Sequence, residues 1–471
     1  MSRHESHAGC RRFLVHCLLI ASLGLVGRAE EPVGLAEKPL LALPAKQAPT
    51  LFVPVPPGDS GIVTENNYAD PKMWGPLYQE FLFGAIGTGV AIGDFDGDGR
   101  PDIFVVSKTE SCRLFRNLGG YKFEDVTERA GVGDHGDAAK IWKQGATFVD
   151  VNNDGLLDLY VCRFNAPNLL YINQGNGTFK ESAHAFGLDV SDASGMAAFC
   201  DYDRDGWLDL YIATNLLDTT KHPNGQRGYL LHNNRDGTFT NVTDRAGVEG
   251  ESESHSATWW DYDNDGWPDL YVANDYGVSD KLYHNNRDGT FTDRLGGVAP
   301  HTSFSSMGAD LGDVNNDGLI DFLVADMAFT SHEDDQRGPA VERGKNLDPL
   351  ANSISSPKYH RNALLLNTGT GRMQEAATLA GIEATNWTWS VRLEDLDNDG
   401  RLDLFVANGM NAEENTDVNT RMMNAETTAE RIRIMHASPV LAEANLGFRN
   451  LGDLRFEDVS AAWGLDQKGV S

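Results

Sequence analysis

Six short apolar runs recur along the chain: Ile103-Phe-Val-Val, Leu159-Tyr-Val-Cys, Leu210-Tyr-Ile-Ala, Leu270-Tyr-Val-Ala, Phe322-Leu-Val-Ala and Leu404-Phe-Val-Ala. Each is rich in β-branched and aromatic residues and follows an Asp- and Gly-rich turn, the pattern of a buried strand. Three further strand-like pieces accompany each run. A first strand precedes the turn: 89–93, 144–149, 196–200, 257–260, 307–311 and 389–393. A third ends in Asn each time, at Asn117, Asn173, Asn233, Asn285, Asn367 and Asn450. A fourth opens on Phe123, Phe179, Phe239, Phe291 or Phe456, after turns such as Asp236-Gly237 and Asp288-Gly289 that favour hairpins. A small Ala-Gly-Val or Ala-Gly-Ile phrase then leads onward.

Four antiparallel strands per 50–60 residues make one propeller blade, and a blade cannot bury both faces alone. The expected fold is therefore an all-β β-propeller with six complete four-stranded repeats. Tyr211, Tyr271, Trp207 and Trp267 suit packing between blades. The segment 51–62 resembles a fourth strand and its exit phrase with no strands before it. That favours a seven-bladed template whose last blade is incomplete, so that the chain is cut short; the alternative is a closed six-bladed ring with 51–62 as an extension. The fifth and sixth repeats carry insertions between their second and third strands, at 327–361 and 409–445.

The turns between first and second strands carry the chemistry. All six read D-x-[DN]-x-D-G-x-x-D, starting 56, 51, 60, 52 and 82 residues apart. Side-chain oxygens at positions 1, 3, 5 and 9 and the carbonyl at position 7 suit a Ca²⁺ ion, which takes six to eight hard oxygens. The candidate ligands are Asp94, Asp96, Asp98, Arg100 and Asp102 in the first loop, and Asp150, Asn152, Asp154, Leu156 and Asp158 in the second. The third has Asp201, Asp203, Asp205, Trp207 and Asp209; the fourth has Asp261, Asp263, Asp265, Trp267 and Asp269. The fifth has Asp313, Asn315, Asp317, Leu319 and Asp321; the sixth has Asp395, Asp397, Asp399, Arg401 and Asp403. At positions 7 (Arg100, Leu156, Trp207, Trp267, Leu319 and Arg401) the backbone oxygen is meant. A helix–loop–helix Ca²⁺ site would need Glu at position 12, where this chain has Val105, Val161, Ile212, Val272, Val324 and Val406. The loops are therefore hairpin connections. Six in register argue against acidic turns that bind nothing, since packed carboxylates repel without a counter-ion.

The formal net charge is -30, and the loops supply 22 Asp; six Ca²⁺ would offset 12 of those charges. The remaining acidity argues against nucleic acid and anionic membranes, which need basic patches. At the N-terminus Arg3, Arg11 and Arg12 precede an apolar run from Phe13 to Gly27, and Gly27-Arg28-Ala29 offers a small-residue cleavage site. Residues 1–29 read as a signal peptide, 30–50 as a linker and 51–471 as the propeller. A secreted, periplasmic or cell-surface location follows, with no stable membrane insertion after cleavage. Three Cys remain, Cys112, Cys162 and Cys200, and an odd count gives no disulfide framework.

The repeats resemble the FG-GAP/VCBS family, the propeller repeats of integrin α chains, most clearly in Gly87-Thr-Gly-Val-Ala-Ile-Gly-Asp-Phe-Asp-Gly-Asp-Gly99. A further resemblance is to secreted cartilage-acidic-protein-like, ASPIC/UnbV-associated propellers. It rests on 234–247, Trp387-Thr-Trp-Ser-Val391 and 450–464, although no ASPIC/UnbV module is readable after the last repeat. The resemblance implies a binding or adhesion-type module for a protein or glycan. No nucleophile elbow, H-E-x-x-H, C-x-x-C or phosphate loop is present. Catalysis on a polysaccharide or phosphoester, and a structural spacer role in an envelope assembly, stand as alternatives. The mark of catalysis would be one non-repeating cluster of Arg, Lys, His or Tyr at the axis; among the scattered His, His301, His332 and His360 are the candidates to meet on one face. The insertions 327–361 and 409–445, on the face opposite the Ca²⁺ loops, are the expected recognition surface.

Overall fold

A computed structural model describes residues 50–65, 88–108, 110–136, 141–215, 227–248, 250, 253–275, 278–337, 357–410 and 416–469. The signal-peptide reading, nearly all of the linker and parts of both insertions lie outside these residues. The described chain is a β-propeller of four-stranded antiparallel blades, six of them complete. The first comprises Val90–Gly93, Asp102–Val105, Arg113–Gly119 and Lys122–Asp125. The second comprises Lys143–Val149, Asp158–Pro167, Leu169–Asn173 and Phe179–Glu181. The third comprises Ser191–Cys200, Asp209–Thr214, Tyr229–Asn233 and Phe239–Asn241. The fourth comprises Ser254–Trp260, Asp269–Asn274, Lys281–Asn285 and Phe291–Asp293. The fifth comprises Ala309–Gly312, Asp321–Val324, Ala363–Asn367 and Met373–Glu375. The sixth comprises Asn386–Glu394, Asp403–Asn408, Leu446–Asn450 and Phe456–Asp458. In the fifth blade Met373 takes the place that Phe holds elsewhere.

Alternation along each strand sends one set of side chains to the preceding blade and the other to the following blade. Ala91 and Phe104 of the first blade thus share a buried cluster with Leu159, Val161 and Tyr171 of the second. Tyr211 joins Val272 and Tyr283 between blades three and four, and Tyr271 joins Phe322 between four and five. Leu323 and Leu364 meet Val391 and Leu404 between five and six. The small phrases after the fourth strands, read as connectors, fold as single helical turns. Thr243–Ala246 is one, closed by Gly247 in the left-handed region at φ 72°. Cys112 and Cys162 are buried and, with Cys200, unbridged.

The segment from Thr50 repeats this grammar between the sixth and first blades. Phe52 N–H donates to the Trp463 carbonyl at 2.8 Å, and Pro57–Ser60 is a helical turn closed by Gly61 at φ 84°. A β-carbon on Gly187 or Gly247 would lie 3.1 Å from the carbonyl of Phe239 or Phe291 in the following blade. The same approach brings Gly464 to the Phe52 carbonyl and Gly61 to the Phe123 carbonyl. Phe52 and Gly61 therefore occupy the places of a fourth-strand Phe and an exit Gly. Val90 and Ile92, on the flank of the first blade that faces backward, are 57% and 64% exposed. Their counterparts Ala146 and Phe148 pack against the first blade.

Both insertions carry helices within their described parts: His332–Arg337 in the fifth blade, and Thr416–Met423 with Thr428–Ala437 in the sixth. The latter two pack on each other through Val418, Ala425, Ile434 and Met435.

Candidate metal centres

The six loops fold alike because each Asp ties down a particular stretch of backbone. At position 1, one carboxylate oxygen accepts from the position 5 N–H and the other from position 6. For Asp261 these distances are 2.9 Å to Asp265 N and 2.7 Å to Gly266 N. Asp94, Asp150, Asp201, Asp313 and Asp395 do the same. The position 5 Asp accepts from the position 7 N–H, as Asp265 does from Trp267 at 2.9 Å. Gly at position 6 has φ of 83–90° in all six loops, where a β-carbon would be strained. Position 4 is also left-handed, at Gly97, Asn153, Arg204, Asn264, Asn316 and Asn398. Gly and Asn suit that conformation, so five of these six residues carry a readable signal for it.

Position 9 joins loop to blade. Asp102, Asp158, Asp209, Asp269, Asp321 and Asp403 are all buried, each accepting a backbone N–H from the Asn that ends the third strand. The recurrence of that Asn is legible in the sequence, but its role is not. Its side-chain amide donates to the position 2 carbonyl of the preceding blade: Asn173 to Phe95, Asn233 to Val151, Asn285 to Tyr202, Asn367 to Tyr262 and Asn450 to Val314. Asn117 donates instead within its own blade, to Pro101.

Predicted carboxylates come together in the first, third and fourth loops. Donor atoms of Asp94, Asp96 and Asp102 lie within 4.8 Å of one another, as do those of Asp201, Asp203 and Asp205, and of Asp261, Asp263 and Asp269. His232 joins Asp203 and Asp209, and His284 joins Asp263 and Asp265, in two further groups. Neither His was anticipated as a neighbour of the loops. These groups could hold a metal ion. At position 3, Asp203 Oδ1, Asp263 Oδ1 and Asp397 Oδ1 are buried atoms without a hydrogen-bond partner. A buried carboxylate oxygen left unpaired is costly unless a cation meets it, so the donor set fits a hard divalent ion.

Burial pushes the position 9 carboxyls up, with neighbouring loop carboxylates adding to the effect. Asp102 and Asp321 rise to about 6, Asp158 to about 7, and Asp209 and Asp269 to about 8; Asp403 moves the same way. Neighbouring loops also touch. Asn153 Nδ2 donates to the Gly206 carbonyl at 2.8 Å, Asn316 Nδ2 to Gly400 at 3.1 Å, and the Arg204 guanidinium stacks 5.5 Å from the Trp267 ring centre.

The three histidines singled out in the sequence take different partners or places. His301 reaches Glu375 at 3.6 Å, His360 faces Asp326 at 2.8 Å, and His332 opens the helix 332–337. Buried non-repeating groups do lie beside the fifth-blade insertion. Asp326 accepts from Phe304 N and Ser305 N, and Lys358 donates to the Val278 carbonyl at 2.7 Å while lying over the Phe304 ring. Trp387 and Trp389 pack with Met307, Met327 and Met410 nearby.

These repeats match the FG-GAP-like repeat model at residues 94–161, 150–212, 219–272, 261–324 and 348–406, more than half of the chain. The chain belongs to the FG-GAP-like repeat family. Among individual proteins it is similar to cartilage acidic protein 1 from Mus musculus, 24% identical over 226 residues, covering 47% of this chain and 34% of that protein. The same protein from Homo sapiens is 24% identical over 227 residues, covering 47% and 33%. The chain thus matches about a third of the length of these relatives. A solved Agrocybe aegerita lectin specific for non-reducing terminal N-acetylglucosamine aligns with TM-score 0.47 and 16% identity, over 82% of this chain and 85% of the lectin.

Proposed function

We propose that this chain is an extracellular binding module, a propeller stabilised by about six Ca²⁺ ions, whose rim opposite the cation loops recognises a protein or glycan partner. The observation that carries the cation reading is the set of buried, unpartnered position 3 oxygens set among further carboxylates. In each loop the position 1, 3, 5 and 9 side chains and the position 7 carbonyl would hold the ion. Bound Ca²⁺ would neutralise carboxylates that otherwise repel. The extracellular placement rests on the N-terminal signal reading; among the described residues no helix is long and apolar enough to cross a membrane.

Binding is favoured over catalysis because the buried acid–base groups opposite the loops already hold structure. Asp326 is tied to two backbone N–H groups, and Asp280 accepts from Tyr271 Oη and Ser306 Oγ. The partner surface is assigned to 327–361 and 409–445, the latter presenting the helical pair 416–437 on a scaffold that does not need it for its own core.

Two measurements test this reading. One ion bound at 100-fold over its dissociation constant adds about 2.7 kcal/mol, so a strong chelator should lower the melting temperature by many degrees. An unchanged melt would remove the cation reading. A glycan array probed with the full chain, and with a variant whose residues 416–437 are replaced by a short linker, tests recognition. Binding that survives the replacement undiminished would refute the assigned surface.

A further inference from the structure

Across the six repeats, the residue at loop position 3 and the residue just before the third-strand Asn vary together. Where position 3 is Asp, the partner is basic: Asp96 with Arg116, Asp203 with His232, Asp263 with His284 and Asp397 with Arg449. Where position 3 is Asn, as at Asn152 and Asn315, the partner is Ile172 or Leu366.

The structure gives this pairing its physical content. Arg116 bonds Asp96 and reaches Asp98 at 3.1 Å; Arg449 lies 2.7 Å from Asp397 and 3.0 Å from Asp399. Position 7 supplies a second guanidinium to each of these loops, Arg100 on Asp98 and Arg401 on Asp399. The third and fourth loops have one guanidinium each, Arg235 on Asp205 at 2.5 Å and Arg287 on Asp265 at 2.6 Å. The second and fifth have none among the described residues. Their position 5 carboxylates, Asp154 and Asp317, accept from the Asn152 and Asn315 amides at 3.0 Å. Counting carboxylates against guanidinium groups, the first and sixth loops hold four against two. The third and fourth hold four against one, and the second and fifth three against none.

From this we propose that Arg116 and Arg449 set the cation affinity of their own loops, so that the first and sixth fill last and the other four form a tighter class. The inference rests on the cation reading above. A guanidinium bonded to two of the carboxylates that face the ion site repels an incoming divalent ion and holds those oxygens away from it. A unit charge a few ångströms away changes affinity by about tenfold or more in a partly solvated site.

The experiment is equilibrium dialysis of the full chain against a series of free Ca²⁺ concentrations, counting ions bound per chain. The wild type should fill four sites first and two more at about tenfold higher free Ca²⁺. Arg116→Met or Arg449→Met should each move one ion from the weak class to the tight class. Ile172→Arg should move one ion the other way, and it keeps the test decisive should an arginine variant fold poorly. Arg113→Met serves as control, since Arg113 pairs with Asp125 and not with a loop carboxylate. Equal affinities that none of these changes alters, a shift equally large in the control, or weaker binding in the arginine variants would overturn the proposal while leaving Ca²⁺ binding intact. No bound ion at any concentration would instead remove the reading beneath it.

Discussion

Asn285 tests whether the blades are fastened by the amide links described above. Its Nδ2 donates to Tyr202 O of the preceding blade at 2.8 Å and to Pro268 O at 3.0 Å, and its Oδ1 accepts from Arg287 N at 2.9 Å. Asn285→Ala removes all three bonds, and the site is buried, so water cannot replace them freely. A buried group left unpaired costs about 1–3 kcal/mol, so the total should be about 3–4 kcal/mol. Asn117→Ala is the matched control. Asn117 bonds Pro101 O and Gly119 N within its own blade, at a more exposed position, and among the described residues its amide makes no bond to the sixth blade. Its loss should cost about 1 kcal/mol. Denaturant melts in saturating Ca²⁺ would read the difference as a lower midpoint for Asn285→Ala at unchanged slope. Equal destabilisation by the two variants, or a larger effect at Asn117, would refute the claim that the inter-blade bond stabilises the junction.

Three further outcomes follow from the same geometry. In chelator, the folded chain holds protons on Asp102, Asp158, Asp209, Asp269 and Asp321 up to about 6–8, against an ordinary 3.8. It therefore binds more protons than the unfolded chain across that window, and stability must fall as pH rises through it. The ion-free melting temperature should be higher at pH 5.5 than at pH 8.5, and Ca²⁺ should suppress the trend; a rise with pH would contradict the burial argument. Phe52→Ala strips the ring that packs 6.5 Å from Trp463, and being half-buried should cost about 1–3 kcal/mol in the same denaturant melts; no loss would mean that this segment is a mere extension. Asp265→Asn removes charge from a carboxylate that Arg287 contacts while keeping an acceptor for Trp267 N; it should lose one bound ion in dialysis without unfolding the chain.

The blades were legible because two periods coincide: alternation within strands, and recurrence of the acidic turn every 51–82 residues. The loop carboxylates were legible for the same reason, since one local turn brings positions 1, 3, 5 and 9 together. What the sequence hid is contact across long separations. The Asn links join residues 78 to 136 positions apart, as in Asn173–Phe95 and Asn450–Val314. Repetition marked those asparagines, but nothing local to them says where the amide points. The basic residues before them were hidden likewise, because only strand pairing carries Arg116 back over Asp96. The helical turns after the fourth strands were missed because a four-residue helix shows no apolar period. Its one local mark is the left-handed Gly that closes every such turn except Leu295–Val298, which ends on Ala299.

Position 9 makes the loops and the blade junctions one system. Asp269 accepts the N–H of Asn285 at 2.7 Å, and the side chain of that same Asn holds the Tyr202 carbonyl one residue into the preceding loop. A carboxylate that must be charged to hold a cation is thus separated by a single residue from the bond that fastens two blades. Burial of that carboxylate opposes its ionisation, and a divalent ion opposes the burial. On the proposed cation reading, a bound ion would reconcile the two demands, keeping the carboxylate charged and the Asn in register. Without it, each buried position 9 group either takes up a proton or bears an uncompensated charge beside the junction. Asp98 and Asp399, each held by two guanidinium groups, soften that conflict in the first and sixth loops. Those are the two loops that flank the Phe52 segment, where among the described residues Asn117 bonds within its own blade rather than across to the preceding one.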